Sequence, residues 1–239
     1  GFDIHSAWCE DLLPESEFYI LPSISGFKVM SKHRYKELLK KIEAGATLLV
    51  TSDSAGLQPL EPVGVIIETI FDARTPAAVI SEKNGLELAI PRSTHLQLSA
   101  RPGTEVLATD AEGRPAFCCA AYGKGKILFL NAPLESALLT TPDAFSENAP
   151  HYSRVYEIAA EIAGVRRLVK RHNRQLTLTE HFSDSSSAAV VVVNNSCTPC
   201  NETLEIAAPW RLCQCINGSF SDGRISIAEK TGAILYLEK

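Results

Sequence analysis

The chain has 239 residues, 45% of them apolar and 21% charged, the composition of folded domains and not of a disordered segment. Its 23 lysines and arginines against 28 aspartates and glutamates give a net charge of −5, with no basic excess to meet a phosphate backbone, so no nucleic-acid partner is expected. The longest apolar runs, such as Ala188–Val193, fall far short of the ~20 residues of a membrane helix, so no membrane partner is expected either.

Gly1 is not a start methionine and reads as a protease scar, which implies a chain cut from something longer or stripped of its leader. Seven cysteines, an odd number, argue against a complete disulfide framework and lean towards a reducing, cytoplasmic compartment.

Phe18-Tyr-Ile-Leu21, ended by Pro22 and the polar turn Ser23-Ile-Ser-Gly26, suits a buried strand. Ser31 can cap a helix whose Tyr35, Leu38, Leu39 and Ile42 share one face, while Lys32, Lys36, Lys40 and Lys41 are left to solvent. Gly45 suits the position after its last turn, and Thr47-Leu-Leu-Val-Thr51 follows as a second strand. Strand, helix and strand in about 35 residues imply a parallel βαβ unit.

From Gly64 to Asn131 the period shortens. Val65–Phe71, Ala77–Ser81, Leu86–Ile90, His95–Leu98 and Val106–Ala108 read as antiparallel strands, and Ala116–Tyr122 and Lys126–Leu130 flank the hairpin turn Gly123-Lys-Gly125. Pro142 and Pro150 punctuate a loop, and Tyr152, Val155, Tyr156, Ala159, Ile162 and Ala163 trace a second amphipathic helix stopped by Gly164. Beyond Val165 the helical period is lost. Leu176–Glu180, Ala189–Val193, Thr203–Ile206, Arg211–Ile216, Arg224–Ile227 and Ala233–Leu237 suggest a small antiparallel sandwich. The expected domains are therefore 1–165 and 166–239, with no internal repeat.

The tempting motifs mostly admit bland readings. Cys197-x-x-Cys200 and Cys213-x-Cys215 could hold zinc, but a zinc ribbon presents its second pair on a turn, two residues apart, so structural cysteines are preferred. No Gly-x-Cys-x-Gly or Gly-x-Ser-x-Gly elbow occurs, and Cys118-Cys119 falls mid-strand. Ser52-Asp-Ser54 sits just past the second strand, where open α/β sheets bind ligands and where any turn uses the same residues. Gly123-x-Gly125 lacks the following helix that a phosphate loop needs. The histidines at 5, 33, 95, 151, 172 and 181 show no metal-ligand spacing, and three formal glycosylation sequons begin at 194, 201 and 217. No catalytic, cofactor-binding or metal-binding residue is assigned.

Several stretches do suggest a family. Phe18-Tyr-Ile-Leu-Pro-Ser23, Tyr35-Lys-Glu-Leu-Leu39 and Glu43-Ala-Gly-Ala-Thr-Leu-Leu-Val50 resemble the amidotransferase-like domain that follows the catalytic barrel in several glycoside hydrolases, best known as the trimerisation domain of family 42 β-galactosidases. Val106-Leu-Ala-Thr-Asp110 to Gly113-Arg-Pro-Ala116, Tyr122-Gly-Lys-Gly-Lys-Ile-Leu-Phe-Leu130 and Pro133-Leu-Glu135 are similar to such domains too. Val190–Asn195, Pro209-Trp-Arg and the final Gly-Ala-Ile-Leu-Tyr-Leu resemble the small β domain that often closes these enzymes.

The resemblance implies an α/β, flavodoxin-like (class I amidotransferase-like) domain with an antiparallel β extension, followed by a small all-β sandwich. It implies a non-catalytic accessory region, because the acid/base and nucleophile carboxylates of such enzymes sit on a barrel. An eight-stranded barrel needs upwards of about 200 residues of alternating strand and helix, and this chain has one clear βαβ unit. The expected partners are a catalytic barrel of the same parent chain and a possible second copy. The expected contact surface is Leu134-Glu-Ser-Ala-Leu-Leu139 with Ala144-Phe145, unless these residues are core. The rival readings are a free-standing amidotransferase-like enzyme, which needs an elbow nucleophile, and a carbohydrate-binding module using Phe182, Trp210, Phe220 or Tyr236.

Overall fold

The computed structural model describes residues 13–23, 32–52, 61–73, 75–146, 148–173 and 175–239. They form two compact units that part between Val165 and Arg166.

In the first unit β1 (Phe18–Leu21), α1 (Lys32–Ala44) and β2 (Thr47–Thr51) make the anticipated parallel crossover, with Tyr35, Leu38 and Ile42 buried. Ser31, the expected cap, lies outside the described residues. After a short 3-10 turn at Glu61–Val63 come β3 (Val65–Asp72), β4 (Ala77–Ser81), β5 (Leu86–Ile90), β6 (Thr94–Ala100), β7 (Glu105–Thr109), β8 (Pro115–Tyr122) and β9 (Gly125–Leu130). Two helices follow, α2 (Leu134–Thr140) and α3 (Arg154–Ala163). A seven-stranded sheet runs β1-β2-β9-β8-β7-β4-β5, and β3 and β6 form a separate two-stranded ribbon.

The flavodoxin-like α/β expectation is wrong. Among the described residues three α-helices stand against seventeen strands, and β1, β2 and β9 are the parallel members of a sheet whose other pairs are antiparallel. The connections explain it. Gly123-Lys124 between β8 and β9, and Glu82–Gly85 between β4 and β5, can only reverse the chain, whereas a parallel crossover needs a dozen or more residues. The class I amidotransferase-like comparison falls with the flavodoxin-like fold, and the architecture is mostly β.

The sheet is covered on both faces. Leu49 of β2, Leu128 and Leu130 of β9 and Phe117 and Cys119 of β8 join a core with Leu134 of α2 and Val155, Ile158 and Ala159 of α3. Their neighbours Leu48, Val50, Ile127, Phe129 and Cys118 point the other way, into a second core with Leu38 and Ile42 of α1, Val65 of β3 and Leu96 and Leu98 of β6. Burial on both faces is why β2 and β9 read as unbroken apolar runs instead of alternating ones.

The glycines of the Gly123-Lys-Gly125 turn are required by packing. A Cβ on Gly125 would lie 2.0 Å from the carbonyl oxygen of Ala46 and 2.2 Å from that of Ile42. Lys124 N–H donates to Glu43 O at 2.9 Å, so the end of α1 rests directly on this turn. Gly164 ends α3 in the left-handed conformation at φ 72°, as a terminating glycine should.

The second unit has β10 (Val169–Arg171), β11 (Leu176–Phe182), β12 (Ser187–Asn194), β13 (Cys200–Ile206), β14 (Arg211–Ile216), β15 (Ser219–Ser221), β16 (Arg224–Ile227) and β17 (Gly232–Glu238). They build two four-stranded sheets, β10-β13-β16-β15 and β11-β12-β17-β14. Alternate residues of each enter one core, Val190, Val192, Leu235 and Leu237 from one sheet and Val169, Leu204, Ile225 and Ile227 from the other. This is a small β-sandwich in which period-two patterning decided the inward face. The three-residue strands β10 and β15 are too short to have been read from periodicity.

Candidate functional site

The parallel strands β1 and β2 end side by side, and their carboxyl edge gathers a cluster of polar side chains around Glu135. This residue lies in the first turn of α2, where the helix dipole favours a negative charge. Glu135 Oε2 accepts hydrogen bonds from Ser23 N–H at 2.9 Å, from Ser23 Oγ at 2.8 Å and from Thr51 Oγ1. Its Oε1 accepts from the Tyr156 phenol of α3 at 2.6 Å. Ser23 N–H also donates to Thr51 Oγ1 at 2.9 Å, and Ser136 Oγ donates to Ser23 O.

Three segments remote in sequence are thereby tied to a carboxylate on a fourth. Charge-assisted bonds of this kind are about twice as strong as neutral ones. The cluster is well built to hold a structure together and poorly built for attack. Oε2 has its lone pairs committed, and burial together with the Glu135 charge raises the Tyr156 phenol far above its ordinary pKa, so it stays a donor. The Ser23 and Thr51 hydroxyls meet a carboxylate and no imidazole among the bonds of the described residues, so neither is an activated nucleophile.

Ser23, Thr51 and Tyr156 carry no functional expectation from sequence, and Glu135 enters only as part of the expected contact stretch 134–139. Ser23 was read as a turn residue and Tyr156 as one of an apolar stripe, and only the fold brings them within reach. The signal that was visible is positional. Ser52, flagged at this edge, is buried and its N–H donates to Leu130 O at 2.9 Å, while Asp53 and Ser54 lie outside the described residues.

The other motifs separate. Cys118 and Cys119 are buried on opposite faces of the sheet, and burial pushes the Cys118 thiol up to about 12, which disarms it as a nucleophile. Cys200 is in the sandwich core, Cys197 is exposed and Cys215 packs against that core. Cys213 is the extra residue of a β-bulge, since Leu212 pairs with Leu237 and Gln214 with Tyr236, so the assumed common face for Cys213 and Cys215 is lost. No group of three or more metal-ligating side chains gathers among the described residues.

His33, His151 and His172 lie beside Glu37, Glu157 and Glu205 at 3.2, 3.2 and 3.0 Å on the surface, His181 is exposed, and His5 is outside the described residues. Asn194, the first sequon, is buried, with its amide donating to Thr198 O and Ala228 O and accepting from Ser196, so it offers nothing to a transferase. Asn201 and Asn217 are exposed. Trp210 is half-buried, with Phe182 edge-on at 6.0 Å and Lys239 Nζ 4.9 Å from its ring centroid, so its face is already occupied. A cleft of about 410 Å³ lined by Glu15, Lys40 and Lys41 gathers no comparable cluster, and Lys41 is paired with Glu15 across it.

The proposed contact segment divides in two. Leu134, Ala137 and Ala144 are core, whereas Leu139 is 80% and Phe145 79% exposed.

With this geometry in hand, the chain can be set beside solved structures. A β-galactosidase from Bacillus circulans sp. alkalophilus superimposes over 92% of this chain with TM-score 0.63 and 15% identity. The fold is shared with glycoside hydrolases. A GH42 β-galactosidase from G. stearothermophilus matches 93% of the chain with TM-score 0.61 and 14% identity, using 32% of its own length. An α-L-fucosidase isoenzyme 2 from Paenibacillus thiaminolyticus matches 93% with TM-score 0.62 and 12% identity, using 40% of its length. This chain thus spans about a third of the β-galactosidases it resembles, 33% of the first. The sequence matches no protein-family profile and no curated protein.

Proposed function

We propose that this chain is a non-catalytic accessory region of a carbohydrate-active glycoside hydrolase, of the kind that joins or supports catalytic barrels in family 42 β-galactosidases. The observation that carries the reading is the match of nearly the whole chain, 92%, to only 33% of a β-galactosidase, which leaves the larger part of such an enzyme to other residues. The chemistry of the polar cluster supports it. Glu135 spends its lone pairs on Ser23, Thr51 and Tyr156, whereas a glycosidase acid or nucleophile must present a carboxyl group to the sugar.

In this reading the remainder of the parent polypeptide, a catalytic barrel, covers Leu139 and Phe145. Leu139 and Phe145 are the most exposed of the large apolar side chains among the described residues, at 80% and 79%, which is what a docked neighbour would explain. The test is an assay of the chain on nitrophenyl glycosides, alone and with the parent barrel supplied in trans. The expected result is no turnover alone and an association with the barrel that weakens with Phe145→Ser. Turnover by the chain alone, abolished by a single carboxylate substitution such as Glu135→Gln, overturns the accessory role. Self-association without barrel binding replaces the barrel with a second copy.

A further inference from the structure

The β3–β6 ribbon buries one group that nothing satisfies. His95 of β6 is 3% exposed, yet among the described residues neither Nδ1 nor Nε2 has a hydrogen-bond partner. It faces Phe71, its direct partner on β3, with ring centroids 4.7 Å apart. The charged groups around it come from two places. Arg92 precedes it on its own segment, and Asp110, Glu112 and Arg114 belong to the turn between β7 and β8. The two acids of that turn are already engaged by Arg114, at 2.8 Å and 2.5 Å. On β3, Asp72 is exposed opposite Thr94, and Glu68 accepts from Gln97 at 3.4 Å.

A neutral imidazole tolerates such a site better than an imidazolium, which would bring two N–H donors and a full charge to a place with no acceptor. Burial, with Arg92 and Arg114 adding to it, accordingly lowers the pKa of His95 from its ordinary 6.5. The ribbon is also the part of this unit best able to yield. β3 and β6 pair with each other and with no further strand, and a two-stranded ribbon is marginal by itself. It is held by the apolar contacts of Val65, Leu96 and Leu98, and by Asn131, whose Nδ2 donates to Leu96 O at 2.7 Å while its own Oδ1 is buried without a partner among the described residues.

We propose that His95 makes the β3–β6 ribbon a proton-sensitive element, closed while the imidazole is neutral and opened when it takes up a proton. The opening exposes Leu96 and Leu98 and frees the Asn131 amide at the end of β9. The proposal rests on the ribbon alone and is independent of the accessory role.

The experiment is an NMR titration of the His95 ring in the native chain, with hydrogen exchange of the β3 and β6 amides at about pH 7.5 and about pH 5 after correction for intrinsic rates. His95 is expected to titrate below 6.5. Ribbon amides are expected to lose protection on acidification, by about tenfold for each unit by which the ring is displaced, while the amides of β8 and β9 hold theirs. In His95→Leu that acid-induced loss disappears. A ring that titrates at 6.5 or above, ribbon protection that is the same at both pH values, or a loss that persists in His95→Leu overturns the proposal. If His95→Leu does not fold, the native titration and exchange decide alone.

Discussion

Two polar sites in the first unit face the same physical problem and resolve it in opposite ways. Glu135 brings a carboxyl group into a partly buried position and surrounds it with donors from the segment just after β1, from β2 and from α3. His95 takes an imidazole deeper, under Phe71, and gives it none. Burial of a polar group is costly unless hydrogen bonds replace those lost to water. At Glu135 they do, so the cluster fastens four segments together. At His95 a neutral ring keeps the cost below that of a buried charge without removing it, which leaves the ribbon exposed to any change that charges it. A satisfied polar group is a fastener, and an unsatisfied titratable one is a weak point.

The largest effect that would sharpen this contrast comes from Glu135→Ala. It strands the Ser23, Thr51 and Tyr156 hydroxyls together and should cost about 2–4 kcal/mol in denaturant unfolding, and a loss below about 1 kcal/mol would mean that water replaces the carboxylate at little cost. Tyr156→Phe removes one charge-assisted bond and leaves Oε1 short of a donor, for about 1–2 kcal/mol by the same measurement. The two losses should not add, because both act on one network, and the double variant shows it directly.

The pH dependence separates the sites further. At His95 the folded pKa is depressed, so the unfolded chain binds the proton more tightly. Stability is unaffected well above 6.5 and declines as the pH falls below it, until the folded ring also titrates. His95→Leu should remove that part of the acid loss while changing stability little at neutral pH. At the alkaline end the signs work the other way in pH. The buried Tyr35 phenol is raised from 10.0 to about 12, and Tyr156 is raised as well. The unfolded chain therefore ionises first, and stability declines as the pH climbs above 10. Tyr156→Phe should shrink this alkaline loss, read as the shift of the denaturation midpoint between about pH 9 and pH 11.

The smallest expected effect on folding is at the exposed pair. Leu139→Ser and Phe145→Ser should each leave stability within about 0.5 kcal/mol of the native chain, since both side chains stand in water already. Light scattering, and binding to the barrel proposed as the partner, are the measurements that should respond. Leu134→Ser, on the same helix but wholly buried, should do the reverse and unfold the unit without any specific effect on association.

Much of the local structure was legible because its cause is local. The positions Tyr35, Leu38 and Ile42 announced α1 and its buried face, and Thr47–Thr51, Leu86–Ile90 and Arg224–Ile227 are strands at the limits their patterns predict. The apolar stretch Leu134-Glu-Ser-Ala-Leu-Leu139 gives no helix reading from its spacing, because Pro133 at its start makes no side-chain cap and seven residues are too few to repeat the face that Leu134, Ala137 and Leu138 form. The cysteine pair at 213 and 215 misled for a related reason. A β-bulge shifts register by one residue, and nothing in Leu-Cys-Gln-Cys-Ile reveals that shift.

By itself the sequence determined the strands and helices with strong periodicity, the change of pattern near Val165 and the lack of a nucleophile elbow, since each depends on residue types at fixed spacings along the chain. The tertiary structure alone decided that the antiparallel strands join one sheet with the parallel β1, β2 and β9, that Ser23, Thr51 and Tyr156 converge on the Glu135 carboxylate, and that among the described residues His95 is buried without a hydrogen-bond partner. Those outcomes depend on which strands pair and which side chains meet across a sequence separation as long as 112 positions, as between Ser23 and Glu135. Residue spacing along the chain does not encode such distances, and only packing brings the groups together.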